Sequence, residues 1–231
     1  QVLEGQDLVR LKKGTSSAES LTLSFWVKSS VTGTYIAELF DLHNTRQISK
    51  TYTVSTANTW EKKTITFPAD TSGAFTYDNS GGLSVQWWLL AGGDFTSGTL
   101  NDSAWAASTN ANRVVGQVNL FASTSNEFYM TGVQLEVGEA TPFEHRSYAD
   151  ELARCQRYYS QASLAVDGLD VGDTSYNAYI WFKTSMRTAP TVTSTNYSSY
   201  TDITAGTTTE HIRFRRIGGF QITSFTADAE L

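Results

Sequence analysis

The sequence predicts an all-β protein, a β-sandwich of jelly-roll type followed by a short connector helix and a second small β domain. Three observations lead there. Short runs rich in Thr, Val, Phe, Tyr and Trp alternate apolar and polar residues. Clusters of Gly, Asn, Asp and Ser punctuate them at turn-like spacing. No alternation of strand with a longer helical pattern occurs, which sets aside a parallel α/β sheet.

The strands follow in order. Leu21–Lys28 and Thr34–Asp41 flank Val31-Thr32-Gly33-Thr34, a hairpin turn in composition. Ile48–Val54 and Lys62–Phe67 come next. Ser80-Gly81-Gly82 then introduces Leu83–Ala91, which carries Trp87 and Trp88, and Ala91-Gly92-Gly93-Asp94 closes it. Val115–Phe121 and Phe128–Val137 complete seven strands in about 120 residues, the density of a sandwich. Thr141–Arg146 reads as the boundary of a first domain spanning residues 1–143. The connector occupies 144–160. There Ser147 and Asp150 stand in capping-box positions, and Tyr148, Leu152, Cys155 and Tyr159 form one apolar stripe. Such a short helix needs a packing partner, and Cys155 reads as a small buried hydrophobe. Residues 161–231 form the second β unit. Its expected strands are Ser175–Lys183, Thr191–Thr195, His211–Arg216 and Phe220–Ala227, the last two joined as a hairpin through Ile217-Gly218-Gly219. A unit this small commonly borrows a partner for its core.

Composition excludes several classes. A net charge of −6 leaves no electrostatic footprint for nucleic acid, and no apolar run reaches the roughly 20 residues of a membrane span, so membrane insertion is not expected. Ser and Thr make up 57 of 231 residues, yet aromatic content is 13%, which argues for a packed core over a disordered polar tract. Cys155 stands alone and no Cys/His cluster has zinc spacing. Gln1 replaces an initiating Met without a signal-like segment, so the chain reads as a piece of something longer. Enzyme signatures are missing. His43, His145 and His211 lie in no nucleophile motif, and Glu38 and Asp41, the carboxylates closest to a glycosidase pair, fall on opposite faces of a strand.

Three stretches carry a family resemblance. Leu21-Thr22-Leu23-Ser24-Phe25-Trp26-Val27-Lys28, Thr59-Trp60-Glu61-Lys62-Lys63-Thr64-Ile65-Thr66-Phe67 and Tyr129-Met130-Thr131-Gly132-Val133-Gln134-Leu135-Glu136 resemble a carbohydrate-binding-module jelly roll of the galactose-binding-like type. The run from Gly132-Val133-Gln134-Leu135-Glu136-Val137-Gly138 through Pro142-Phe143-Glu144-His145-Arg146-Ser147 to Glu151-Leu152-Ala153-Arg154-Cys155-Gln156-Arg157-Tyr158-Tyr159 is similar to the C-terminal region of bacteriophage tail fibre proteins. So are Phe182–Thr191 and the ending Ala227–Leu231. The resemblance implies a non-enzymatic virion attachment protein, extracellular when acting. It would be a homotrimer that joins other virion tail proteins and engages host cell-surface polysaccharide. In sugar-binding jelly rolls an Asp pair before the last strand often contributes to a calcium site. Those positions read Thr131-Gly132 here, which leaves Glu4 and Glu136 as weak calcium candidates; no other cofactor is expected.

Sugar recognition stacks aromatic faces on the apolar face of a sugar ring and adds amides and carboxylates for the hydroxyls. Strand parity places Trp26 among Thr22, Ser24 and Lys28, and Trp88 among Ser84 and Gln86, whereas Trp87 reads as core. A platform of Trp26 and Trp88 with Gln86, Gln134 and Glu136 is the glycan site this suggests. Cover of the same aromatics by a loop, the second domain or a neighbouring subunit is the competing reading. Trp60 reads as a structural plug ahead of its strand. Trp105, in a polar loop, and Tyr197 and Tyr200, in a Ser/Thr-rich loop of the second unit, are further candidates. Two rival functions stay open: a purely structural virion protein, and a carbohydrate-binding module of a polysaccharide-degrading enzyme.

Overall fold

The computed structural model describes residues 1–168, 175–196, 204–217 and 220–230. Two compact units divide the chain at Glu144 and His145. The fold is mostly β and its sheets are antiparallel. Among the described residues no helix is long and apolar enough to cross a membrane.

The first unit runs through β1 (Val2–Glu4), β2 (Leu21–Ser29), β3 (Gly33–Asp41), β4 (Arg46–Val54), β5 (Glu61–Phe67), β6 (Gly81–Trp88), β7 (Ala106–Ala107) and β8 (Phe128–Val137). They form a five-stranded sheet of order β1-β6-β3-β4-β7 and a three-stranded sheet of order β5-β2-β8. The period-2 pattern explains the packing. Leu21, Leu23, Phe25 and Val27 of β2, with Ile65 and Phe67 of β5, are buried in one core with Tyr35, Ala37 and Leu39 of β3 and Ile48, Tyr52 and Val54 of β4. Phe25 meets both Tyr52 and Trp87 edge-on, at 5.1 and 5.7 Å between ring centroids. Each aliphatic or aromatic side chain removed from water this way contributes roughly 1.5–3 kcal/mol. The alternate residues of both sheets point away from this core, so the unit has two outer faces.

Two expectations need correction. Val115–Phe121 is not a strand. Gly116 adopts φ +88°, and only isolated bonds follow, from the Val118 N–H to the Thr34 carbonyl and the Leu120 N–H to the Leu89 carbonyl. In β8 the ladder slips opposite Phe25, where Gly132, at φ +59°, and Val133 together face one residue: Ser24 pairs with Gln134 but Trp26 with Thr131. This bulge puts Thr131 and Gln134 on the same outer face, reversing the parity of the strand's first half. Val133 and Val137, alternating with Gln134 and Glu136, are 42% and 39% exposed on this edge strand.

In the second unit α1 (Tyr148–Gln156) starts as its sequence indicates. The Ser147 hydroxyl accepts from the Asp150 N–H and donates to the Asp150 carboxylate. Its stripe is not buried: Tyr148 is 81% exposed, and Leu152, Tyr159 and Cys155 are exposed too. A strand, β9 (Tyr159–Gly168), follows almost at once, with β10 (Ser175–Trp181), β11 (Thr191–Asn196), β12 (Thr204–Thr207), β13 (His211–Ile217) and β14 (Phe220–Asp228) after it. They form two three-stranded sheets, β10-β13-β12 and β11-β14-β9. β13 and β14 lie in different sheets, so the expected hairpin between them is not formed. Met186, Ile212, Phe225, Ala227 and Ala229 make a small core of their own.

Candidate functional site

The two outer faces of the first unit each carry one tryptophan of the expected platform. Trp26 lies on the outer face of β5-β2-β8 and Trp88 on that of the five-stranded sheet, with the shared core between the two sheets. They do not form one surface.

Trp88 is closed off by the chain itself. Residues 89–122 pass over its sheet and deliver Arg113 to Glu38, a β3 residue with no solvent exposure. The guanidinium grips the carboxylate with both arms, Nε to Oε1 at 2.8 Å and Nη2 to Oε2 at 3.0 Å. The indole N–H of Trp88 donates to the same carboxylate at 2.7 Å. The guanidinium carbon lies 4.9, 5.2 and 5.6 Å from the ring centroids of Phe40, Trp88 and Phe95. Trp88 is therefore part of an aromatic cage around the protein's own arginine, and its polar edge is spent on Glu38. Gln86, the next outward residue of β6, is half-buried and donates to Ser84 Oγ.

Trp105 is also internal. It is 8% exposed, belongs to the core, and donates its indole N–H to the Pro68 carbonyl at 2.9 Å. It packs beside a buried charge cluster. The Lys13 ammonium, with no solvent exposure, meets Asp41 at 2.5 Å, Asp70 at 3.1 Å and the Ser72 and Gly73 carbonyls at 3.0 and 2.6 Å. Arg46 also grips Asp70, Nε to Oδ2 at 2.8 Å and Nη2 to Oδ1 at 2.9 Å. Burial pushes the Asp70 carboxyl up, but the bonds from Arg46, the Ser72 N–H and Lys13 outweigh it and hold the group below its ordinary range. Two carboxylates and two carbonyls are donors that suit a hard cation, and a lysine fills the position. The weak calcium candidates do not meet: Glu4 is buried in β1 of one sheet, where Gln6 donates to it, and Glu136 lies in β8 of the other. Among the described residues no group of three or more His, Cys, Asp or Glu side chains is placed to hold a metal ion.

The outer face of β5-β2-β8 reads as four cross-strand rows, the first placed by extending the ladder one pair beyond Val27 and Glu61. The rows are Trp60, Lys28 and Tyr129; Lys62, Trp26 and Thr131; Thr64, Ser24 and Gln134; and Thr66, Thr22 and Glu136. The last two are roofed by the segment after β8. The Thr22 hydroxyl donates to the Gly138 carbonyl, Thr141 donates its N–H and hydroxyl to Glu136, and the Glu144 N–H donates to Gln134 Oε1 at 2.8 Å. Thr22 and Ser24 are 1% and 3% exposed as a result. Burial raises the Glu136 carboxyl, yet the bonds from Gln134 and Thr141 bring it below its usual range. Gln134 and Glu136 thus hold this strap and are committed inside the chain.

The first two rows remain open. Trp26, Trp60 and Tyr129 are 42%, 42% and 43% exposed. Lys28 Nζ sits 4.5 Å from the Tyr129 ring centroid and 5.7 Å from that of Trp60. Phe143, 41% exposed, reaches the same place: a Cβ on Gly132 would lie 3.3 Å from Trp26 Cδ1 and 3.9 Å from Phe143 Cδ2. Of the expected platform only Trp26 stays available, joined by Trp60, Tyr129 and Lys28. Trp60 is not the structural plug read from sequence but 42% exposed, and its shared parity with Lys62, Thr64 and Thr66 was the signal for its place on this face. Tyr129 required the bulge at Gly132, for which a glycine inside a strand is the only local signal. Tyr197 and Tyr200 lie outside the described residues.

No protein-family model, curated protein or solved structure matches this chain.

Proposed function

We propose that the chain is a non-enzymatic glycan-binding protein acting as the host-attachment end of a phage tail fibre. The observation that carries the reading is the open aromatic face of Trp26, Trp60 and Tyr129 on otherwise polar strands. Indole and phenol rings half exposed on a rigid sheet offer flat apolar area without an ordering cost. That suits the C–H face of a sugar ring, while Lys28, Lys62 and Thr131 supply polar contacts at the edges. The strand orders β5-β2-β8 and β1-β6-β3-β4, with most connections crossing between sheets, support the jelly-roll part of the reading. Glu38 and Asp41 are each tied to an internal cation, which supports a binding role over hydrolysis. Trimerisation raises the avidity of weak single contacts, and the exposed Tyr148, Leu152 and Tyr159 are apolar surface that self-association would cover.

A structural fibre segment is the second reading, favoured by the internal use of Trp88, Trp105, Gln134 and Glu136. Retention of the chain on immobilised capsular and lipopolysaccharide glycans separates the two. Binding is expected, with no release of reducing ends. Trp26→Ala combined with Trp60→Ala is expected to weaken it at least about tenfold, or roughly 1.4 kcal/mol. Absence of binding would favour the structural segment, and binding that the double variant leaves intact would remove the glycan site from this face.

A further inference from the structure

The open face offers charge as well as aromatic rings, and the distribution of that charge is uneven. Its carboxylates are engaged. Glu127 is bonded by the Tyr129 hydroxyl, and Glu136 by Gln134 and Thr141. Its two lysines are not. Among the described residues neither Lys28 nor Lys62 has a carboxylate within ion-pair distance, although Lys62 lies close enough to Glu136 for its field to be felt there. An exposed lysine is ordinary in itself. Lys28 differs because the rings of Tyr129 and Trp60 flank its ammonium. They attract the cation and hold it in place on the face. Lys62 stands one row along, opposite Trp26.

We infer that this face takes an acidic polysaccharide, with sugar rings on Trp26 and Trp60 and an anionic substituent on Lys28 and Lys62. The inference rests on the glycan-binding reading and adds the ligand's charge. The chain as a whole carries −6, so long-range attraction cannot draw such a ligand in. The complementarity is local, set by two cations within a contact distance, and therefore salt-sensitive.

The test uses the whole chain against uronic-acid and sialic-acid polysaccharides and their carboxyl-reduced counterparts, with single-stranded oligothymidylate as a third arm. The acidic forms are expected to bind at least about tenfold more tightly than the reduced ones. That margin should shrink several-fold between roughly 0.05 and 0.5 M NaCl. Lys28→Gln with Lys62→Gln, both surface changes checked for an unaltered melting temperature, is expected to bring the acidic forms down to the affinity of the reduced forms. Equal affinity for acidic and reduced forms would overturn this inference and leave the glycan reading standing. Binding to no member of the panel would overturn both. Preference for the oligonucleotide over every polysaccharide would also overturn both, pointing instead to stacked bases on the same rings.

Discussion

Trp26 and Trp88 occupy matching situations in the sequence, each on the polar side of a strand, and the protein treats them in opposite ways. Over Trp88 the chain lays residues 89–122, whose Arg113 reaches Glu38 between three aromatic rings. Over the sheet of Trp26 it lays only the short stretch 138–144, which bonds Gln134 and Glu136 and leaves the next two rows uncovered. A tryptophan among polar strand neighbours is therefore half of a signal. The other half is whether the same face holds a buried charge that demands a partner. Glu38 does, and the partner that answers it brings a cover along. The Trp26 face has no such buried charge: of its two cations, Lys62 is exposed and Lys28 is half-buried between rings.

The largest expected effect breaks the closed face. Arg113→Met would leave the Glu38 carboxylate buried with only the Trp88 indole to serve it. Removing one partner of a buried pair typically costs about 3–5 kcal/mol, or a fall in melting temperature of roughly 10 °C. Adding Glu38→Gln should recover part of that loss, because the stranded charge goes with it. On the open face Trp26→Ala should cost less than about 1 kcal/mol, as a half-exposed site does. Thermal melts of the three variants check the contrast. Equal losses on both faces would mean that Arg113 is not what closes Trp88.

Acid probes the same contrast at lower cost. Asp70 in the core and Glu136 under the strap both have carboxyl groups held below their ordinary values. In the unfolded chain these groups take up protons at about pH 4, whereas in the folded protein they resist. Their contribution is therefore present above the ordinary carboxylate range and is lost as pH falls through the folded values. Melting temperature is expected to drop between about pH 5 and 3. Asp70→Asn should lower it at neutral pH and flatten that drop. Glu136→Gln should do the same more weakly, since Glu136 is closer to solvent and its loss loosens only the strap. A full-size acid drop in Asp70→Asn would remove the Lys13 cluster as its source.

The strands β2 to β6 were readable because alternation and turn composition act locally, residue against next-but-one residue. The capped start of α1 was readable for the same reason. The site was readable only in part. Trp26 came from parity alone, but the competitors for Trp88, Gln134 and Glu136 lie 25, 7 and 5 residues or more away along the chain, at Arg113 and Thr141. Such pairings depend on where a loop returns, which alternation does not encode. Trp105 failed similarly: a polar stretch around it hides the fact that its ring lies against Lys13, 5.4 Å from the ammonium.

A far smaller effect than the loss of Arg113 concerns how the open face is built. Gly132 sits at φ +59°, where a side chain costs about 1–2 kcal/mol, and a Cβ there would come within 3.3 Å of Trp26 Cδ1. Gly132→Ala should thus destabilise by about 1 kcal/mol and shift the Trp26 ring by a few tenths of an ångström. Gly132→Asn should cost less in backbone strain, because Asn tolerates this conformation, while still pressing on the ring. Urea denaturation separates strain from crowding, and glycan affinity reports the ring. If alanine were neutral in both, the bulge could shift without consequence. The parity reversal that brings Tyr129 level with Lys28 would then not depend on glycine at this position.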